Sequence, residues 1–174
     1  MAKPPLRLNL GSGPKPIKGF KSVDIRKDLN PDYCFDVTKF PWPFKNNSVD
    51  EVRCSHMLEH IDGKDRFPFF NELYRVMKMG AKAQFTTPAP FTHRYMQDPF
   101  HAFPMIVQEF YHYLHAPSRE HLGVEWYPIT CNFEWEGYYA DDADNLCTNP
   151  NDTQDRRRHN INTQYDLVVT LKKI

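Results

Sequence analysis

Short apolar runs, each ending in glycine, an acid or a small polar residue, dominate the first 55 residues of the chain. The runs are LRLNL, FKSVDI, YCFDV and VDEVRCS, which begin at Leu6, Phe20, Tyr33 and Val49. Each has the length of a β-strand, is rich in β-branched or aromatic residues, and is bounded by Gly, Pro, Asn or Asp. We therefore predict four strands in this part of the chain.

Helical spacing of apolar residues appears first between residues 69 and 77. Pro68 is expected in the first turn of this helix, where its missing N–H costs little, and Gly80 is placed to end the helix. The pattern continues with a strand over residues 81–88, a helix over residues 106–116 and two closing strands over residues 129–139 and 165–174.

This order of elements predicts an α/β fold with a mainly parallel sheet. The last two strands have no helix predicted between them, so we expect an antiparallel hairpin at one edge of the sheet. Only residues 11–19 link the first two strands, which is too short for a full crossover helix. The polar, turn-rich residues 140–163 are expected to form a long loop, and residues 1–174 a single domain.

Composition excludes several functional classes. Lysine plus arginine number 22 and aspartate plus glutamate number 22, so the basic excess typical of nucleic-acid binding is absent. The four cysteines, at 34, 54, 131 and 147, form no C-x-x-C pair, and Cys34 and Cys54 are expected in the core. With neither a secretion signal nor an apolar span in the sequence, we expect a cytoplasmic protein without membrane contact.

The carboxyl ends of the four predicted strands carry residues suited to a ligand. The first strand is followed by Gly11-Ser12-Gly13, the second ends at Asp24, the third at Asp36, and the fourth at Ser55-His56. Open α/β sheets bind ligands at this edge. A glycine turn allows close approach of the backbone, and an acid after the second strand can accept both hydrogen bonds of a ribose diol.

The glycine turn does not fit a dinucleotide. The dinucleotide fingerprint G-x-G-x-x-G leads into a helix whose N-terminus holds the pyrophosphate. Here the turn reads GSGPKP, so Pro16 replaces the third glycine, and Pro14 and Pro16 remove two N–H donors. The loop therefore favours a ligand without phosphates.

The segment SHMLEHI contains the pattern His-x-x-Glu-His of inverted zinc proteases, with His56 and His60 at the spacing of two metal ligands. Such a site needs both histidines on a helix and a third protein ligand. His56 directly follows a predicted strand, and no later glutamate stands out as the third ligand. We predict no metal at this motif and keep a metallohydrolase as a remote alternative.

Taken together, these motifs resemble those of the class I S-adenosylmethionine-dependent methyltransferases, especially their small members. The resemblance covers residues 6–90, with the motifs in the expected order. It implies S-adenosylmethionine as the cofactor, a Rossmann-like sandwich, a cofactor-binding half over residues 6–90 and an acceptor-side half over residues 91–174. Two positions depart from the family pattern: Asn9 stands where many relatives carry an acid, and MKMGAK replaces a proline-glycine-glycine turn.

The resemblance also implies which residues hold the cofactor. Asp24, with Ile25 beside it, would bind the ribose hydroxyls, and Asp36 with Val37 would face the adenine. The methionine part would lie above Asn9, Gly11, Ser12 and Gly13 and beside Ser55 and His56, while Glu59 is expected to help orient the glycine turn.

The acceptor side is predicted in the aromatic and polar segment from Thr86 to Pro104. His101, and after it His93, are the candidate general bases if the acceptor arrives protonated. We expect a small molecule, a sugar or a protein side chain as acceptor. The alternative is a Rossmann-like module that binds the cofactor or a nucleoside without catalysis, and the shortened first crossover keeps that alternative open.

Overall fold

The computed structural model describes residues 4–140 and 166–174. Within them, seven strands form one sheet in the order β3-β2-β1-β4-β5-β7-β6. The strands are β1 (Arg7–Leu10), β2 (Lys21–Asp24), β3 (Tyr33–Cys34), β4 (Val49–Ser55), β5 (Met77–Pro88), β6 (Phe133–Ala140) and β7 (Asp166–Lys173). The helices are α1 (Gly63–Val76), α2 (His93–Met96) and α3 (Ala116–Leu122), with 3-10 helices at Lys27–Leu29, Leu58–His60 and Gln108–Leu114.

The sheet confirms the predicted architecture. Strands β3, β2, β1, β4 and β5 pair in parallel, whereas β7 pairs antiparallel with both β5 and β6. Residues 11–19 contain no helix, in agreement with the short first crossover. The predicted loop over residues 140–163 lies almost wholly outside the described residues.

The third strand is shorter than predicted. It holds only Tyr33–Cys34, and Cys34 is exposed at the edge of the sheet, so the prediction of a core role for Cys34 was wrong. Cys54, in the central strand β4, is buried as expected. Within the described residues, strand β3 has a neighbour on one side only, which explains why an apolar run at this place leaves a side chain in solvent.

Helix α1 differs from the prediction at both ends. It begins at Gly63, so Pro68 lies inside the helix and not in its first turn. It ends at Val76, because Met77 has the extended conformation that opens β5. Gly80 therefore does not end the helix. With φ at +77°, it lies where the register of β5 against β4 shifts, in a bulge that favours glycine.

The predicted helix over residues 106–116 is divided in two. A 3-10 helix covers Gln108–Leu114, His115 is extended, and α3 begins at Ala116. Pro117 supplies the physical reason, because proline is favoured in the first turn of a helix and cannot donate a hydrogen bond in the interior of a longer one.

The two faces of the sheet differ in character. On one face, Phe69 and Phe70 of α1 pack against Phe85, and Tyr111 packs against Trp135. The opposite face, called here the polar sheet face, carries exposed or half-buried charged and polar side chains in register across the strands. Its members are Arg7, Glu51, Arg53, Lys82, Gln84, Glu134, Glu136, Thr170 and Lys172.

Ion pairs connect neighbouring strands on the polar sheet face. Arg7 lies 3.4 Å from Glu51, and Lys172 lies 2.8 Å from Glu134. Parallel sheets are usually covered by helices on both faces, so a polar face of this kind is the counterpart of the missing crossover helix. No helix among residues 4–140 and 166–174 is long and apolar enough to cross a membrane.

Candidate functional site

The turn after β1 lies too close to the segment that follows β4 for any residue but glycine at its first position. Gly11 has φ at +63° and Gly13 has φ at +54°, in the left-handed region that glycine tolerates. A Cβ atom on Gly11 would lie 2.6 Å from both Cβ and Cγ of Met57. The turn is therefore fixed against the segment that follows β4.

Asp24 holds the same turn from the other side. Its Oδ2 accepts a 2.8 Å hydrogen bond from the amide of Gly13, and its Oδ1 accepts a 3.0 Å bond from the amide of Arg26. The side chain is buried at the end of β2. A carboxylate offers about four acceptor positions, so two remain for hydroxyl groups of a ligand.

Asp36 lies beyond β3 and is half-buried. Its Oδ1 accepts from the amide of Thr38 at 2.8 Å and from the Thr38 hydroxyl at 2.7 Å. Its Oδ2 accepts no hydrogen bond from the described residues. This oxygen can take a hydrogen bond from an amino group of a ligand.

The other predicted cofactor residues occupy the same edge of the sheet. Asn9 is buried in β1, Ser12 is buried in the turn, and Ser55 is exposed at the end of β4. Ile25 is 63% exposed and Val37 is half-buried, so both present apolar surface beside the two acids. Because β3, β2, β1 and β4 are neighbours in the sheet, their carboxyl ends bring these residues to one edge.

His56 is held in an unusual backbone conformation between two carboxylates. Its φ is +53°, which is uncommon for a residue other than glycine and concentrates at functional sites. Nε2 lies 3.5 Å from Oδ2 of Asp166, and Nδ1 lies 3.4 Å from Oε1 of Glu59. The carboxylate of Asp166, and after it that of Glu59, raises the pKa of His56 to about 9. The imidazole is therefore a cation near neutral pH.

Asp166 is the site residue that the sequence reasoning missed. It opens β7 opposite Pro88, at the end of β5, and also lies 3.4 Å from Nη1 of Arg94. It is 5% exposed, and its Oδ1 has no hydrogen-bond partner among the described residues. The only signal in the sequence was an acid at the start of the last predicted strand.

Glu59 is the most deeply buried acid near this edge. It is 1% exposed, and neither carboxylate oxygen has a hydrogen-bond partner among the described residues, the 3.4 Å ion pair with His56 apart. Asp24 and Met57 contact the glycine turn directly, and the role of Glu59 in orienting that turn stays a prediction.

Arg66 fixes the acceptor-side loop next to Glu59. Its buried guanidinium donates to the carbonyls of Ile61, Ala102 and Pro104. The amide of Ala102 in turn donates to the Glu59 carbonyl at 2.8 Å. Loop residues 101–104 are thereby tied to the segment that follows β4.

This loop brings one of the two predicted bases to the site. The His101 side chain is 7% exposed, its Nδ1 lies 2.7 Å from the Tyr95 carbonyl, and its ring centre lies 4.8 Å from that of His60. His93 is exposed and begins α2. Of the two histidines, His101 alone belongs to the cluster of ligand-type side chains around Glu59.

The zinc-protease interpretation of the motif requires two histidines on one helix. His56 lies outside the 3-10 helix Leu58–His60, in the left-handed conformation, and faces Asp166 and Glu59. His60 instead packs against His101. The motif therefore does not form the helical histidine pair of that enzyme class.

Comparisons with known proteins agree with this fold. A family model described as a methyltransferase domain matches residues 18–85. A solved S-adenosylmethionine-dependent methyltransferase from Archaeoglobus fulgidus is similar over 97% of this chain and 86% of its own, with 17% identity and a TM-score of 0.67. The YcgJ protein from Bacillus subtilis is similar over 99% of this chain and 93% of its own, with 11% identity and a TM-score of 0.57.

A third structure is the Haemonchus contortus phosphoethanolamine N-methyltransferase 2 with bound S-adenosylhomocysteine. The similarity covers 99% of this chain but 50% of that enzyme, with 14% identity and a TM-score of 0.52. At these identities the structures share the fold. No curated protein sequence matches this chain.

The order of the strands in the sheet, the C-terminal antiparallel hairpin and the glycine turn after β1 define the class I methyltransferase fold. The methyltransferase-domain model that matches residues 18–85 points to the same class, so the chain is similar to S-adenosylmethionine-dependent methyltransferases in its fold and in part of its sequence. The matched methyltransferase domain supports S-adenosylmethionine as the cofactor, and the donor set fits: a glycine turn, a buried acid with free acceptor positions and a second acid beyond it.

Proposed function

We propose that this chain transfers a methyl group from S-adenosylmethionine to an acceptor bound beside loop residues 101–104. The observation that supports this most strongly is the pairing of the Gly13 amide with the Asp24 carboxylate at 2.8 Å. It joins the glycine turn and the ribose-binding acid into one unit before any ligand arrives. When bound, the cofactor supplies the electrophilic methyl group.

Each residue at the carboxyl edge of the sheet binds a different part of the cofactor in this proposal. Asp24 accepts from the ribose hydroxyls, and Oδ2 of Asp36 accepts from the adenine amino group. Ile25 and Val37 provide apolar walls. Asn9 and the backbone of the glycine turn lie beneath the methionine part, while Ser55 and His56 border the end that carries the transferable methyl.

The acceptor side mainly has to align its substrate. Methyl transfer from a sulfonium is an in-line displacement, and such alignment can contribute ~7 kcal/mol or more. Loop residues 101–104, fixed by Arg66, are suited to that role because they are held at several backbone positions. His101 is the candidate base for a protonated acceptor, which would be a small molecule, a sugar or a protein side chain.

A second function, binding without catalysis, is supported by one observation. The loop between β1 and β2 contains no helix, and its residues 14–19 are exposed, including Ile17 at 41%. A cofactor pocket with this open border could hold its ligand without excluding water from the reacting centre.

Calorimetric titration with S-adenosylmethionine and S-adenosylhomocysteine tests the proposal. We expect saturable binding of both, and release of S-adenosylhomocysteine when pools of hydroxyl- and amine-bearing acceptors are added. Binding without release from any pool would favour the inactive module. Failure of the folded protein to bind either compound at millimolar concentration would contradict both functions.

A further inference from the structure

The cluster around Glu59 contains a set of side chains that cofactor binding does not use. Glu59, His60 and His101 each offer one ligand atom, and these three atoms lie within 4.8 Å of one another. The residues come from two segments, the 3-10 helix Leu58–His60 and the loop that Arg66 ties down. We propose that Glu59, His60 and His101 bind one first-row divalent transition-metal ion, at a site that takes Glu59 and His60 from the motif for which the sequence predicted no metal and has His101 in place of His56.

The buried carboxylate of Glu59 is the strongest observation for this site. A buried anion without hydrogen bonds is costly, and buried charges in proteins are paired or coordinate metals. Glu59 is 1% exposed, and both its oxygens lack hydrogen-bond partners among the described residues. The ion pair with His56, at 3.4 Å, involves Oε1 alone and leaves Oε2 without a partner among the described residues. A metal ion would satisfy the remaining capacity of the carboxylate.

The His101 ring has the tautomer and the orientation of a metal ligand. The Tyr95 carbonyl can only accept, so the 2.7 Å contact places the proton on Nδ1 and leaves the lone pair on Nε2. Metal-binding histidines typically donate their second nitrogen to a backbone carbonyl in this way, which fixes the tautomer and ring orientation. Nε2 also lies 3.8 Å from Oδ2 of Asp98, which could supply a further oxygen.

The segments that carry the three ligands are held together in the metal-free structure. Arg66 binds carbonyls on both segments, and the Ala102 amide donates to the carbonyl of Glu59 itself. Tyr95, whose carbonyl orients His101, also donates its hydroxyl to the Ala102 carbonyl at 2.7 Å. The ligands of a tetrahedral metal lie about 3.4 Å apart, so binding requires the three atoms to move inward by about 1 Å.

The donor set selects the kind of metal. Two imidazole nitrogens and one carboxylate oxygen suit Zn²⁺, Co²⁺, Mn²⁺ or Fe²⁺, whereas Mg²⁺ and Ca²⁺ prefer oxygen alone. Three protein ligands leave at least one position of the metal open. The open position can hold an oxygen atom of the acceptor, and the metal would then activate that oxygen in place of His101, because a metal-bound Nε2 cannot act as a base. That last role rests on the proposed function, whereas metal binding itself does not.

Direct titration with metal tests the inference without any methyl acceptor. Tag-free protein is stripped with a chelator and titrated with Co²⁺, followed by its visible absorption, and with Zn²⁺ by calorimetry. The variants are His60→Ala, His101→Ala and Glu59→Gln, and the matched control is His121→Ala, which removes an exposed histidine elsewhere. Thermal unfolding establishes that each variant is folded.

We expect one Co²⁺ per chain with micromolar affinity, and at most weak binding of Mg²⁺. The variants His60→Ala and His101→Ala should each lose tenfold or more in affinity, while His121→Ala binds as the wild type does. If Glu59→Gln does not fold, the two histidine variants decide the question.

Two results would overturn the proposal: no saturable Co²⁺ or Zn²⁺ binding by the folded wild type, or equal affinity in the wild type and in both histidine variants. Titration of the same metal-free protein with S-adenosylmethionine is a separate measurement. Failure of the metal site and failure of the proposed cofactor site are therefore distinguishable.

Discussion

The amide of Gly13 donates a 2.8 Å hydrogen bond to Oδ2 of Asp24, across the carboxyl ends of β1 and β2. Because of this bond, Asp24 has both a structural role and a ligand-binding role. Asp24 shapes the glycine turn, and it retains acceptor positions for a ligand. A change at Asp24 should therefore act on the turn and on the ligand together.

The first prediction concerns Asp24→Asn. An amide keeps the size of the side chain but loses the charge that strengthens bonds to hydroxyl groups. We expect affinity for S-adenosylhomocysteine to fall tenfold or more, because a hydrogen bond to a charged group is worth ~1.5–3 kcal/mol. Calorimetry measures the change. Asp28→Asn, at an exposed acid four residues away, should leave the affinity unaltered, and an equal loss in both variants would disprove a specific role.

Gly11→Ala should destabilise the protein more than other glycine substitutions. The new Cβ would lie 2.6 Å from Met57 and would also require a left-handed alanine. Left-handed backbone alone costs about 1–2 kcal/mol, and the collision adds to it. Gly19→Ala has the same backbone problem, with φ at +85°, but nothing within 4 Å of its Cβ. Urea unfolding of both variants should show the larger loss for Gly11→Ala, and equal losses would contradict the close approach.

Asp32 should make stability depend on acid pH. Hydrogen bonds from Lys21 and from the amide and hydroxyl of Ser22 lower the pKa of Asp32 from 3.8 to about 2. The folded pKa is below the unfolded one, so the contribution is present above about pH 4 and is lost as the pH falls toward 2.

The measurement is urea unfolding of the wild type and of Asp32→Asn at several pH values. Because Asp32 is partly exposed, we expect a difference of ~1 kcal/mol at pH 6. The difference should shrink as the carboxylate is protonated. A difference independent of pH between 6 and 2 would contradict the assignment, and Asp62→Asn provides an exposed acid for comparison.

Arg66→Met should loosen the acceptor-side loop. The substitution preserves bulk but leaves the carbonyls of Ile61 and Pro104 without their donor, while the Ala102 carbonyl keeps only the Tyr95 hydroxyl. Unsatisfied buried groups cost about 1–3 kcal/mol each, so we expect a loss of at least ~2 kcal/mol in the free energy of unfolding. Hydrogen exchange should rise at the Ala102 amide. The control variant is Arg26→Met, which removes an exposed arginine that pairs with Asp28. It should alter neither the free energy of unfolding nor the exchange of the Ala102 amide.

Thiol labelling tests the positions of the cysteines. Cys34 is exposed, whereas burial raises the pKa of Cys131 to about 12 and raises that of Cys54 well above its usual value. In a Cys147→Ser background, one thiol should react rapidly with a disulfide reagent at pH 8 and two should react only in denaturant. Rapid reaction of a second thiol in the native protein would contradict the buried position of β4 or of Cys131.

Strands were predicted well from the sequence because their signal is local. Apolar runs bounded by turn residues located β1, β2 and β4 nearly to the residue. Gly80 was misjudged because a positive φ serves a helix end and a strand bulge equally well, and only pairing with β4 distinguishes the two. Cys34 was misjudged because the order of strands, and hence which strand lies at an edge, is set by tertiary packing.

The candidate site was predictable only where it lies on consecutive strand ends. Gly11, Asp24 and Asp36 follow from the rule that parallel strands present their carboxyl ends together. Asp166 and the association of His60 with His101 depend on contacts between segments far apart in the chain. No periodicity in the sequence reports such contacts, so the long-range half of the site needed the structure.

The polar sheet face shows how a methyltransferase fold can expose one side of its sheet to solvent. A layer of helices is dispensable if every strand that it would have covered alternates apolar with charged side chains, as Lys82-Ala83-Gln84-Phe85 does in β5. In the part of the chain that the structure describes, the polar side chains of the strands then form this surface of the molecule themselves. Miniature methyltransferases could be designed by the same exchange, starting from larger relatives and rewriting one side of the sheet.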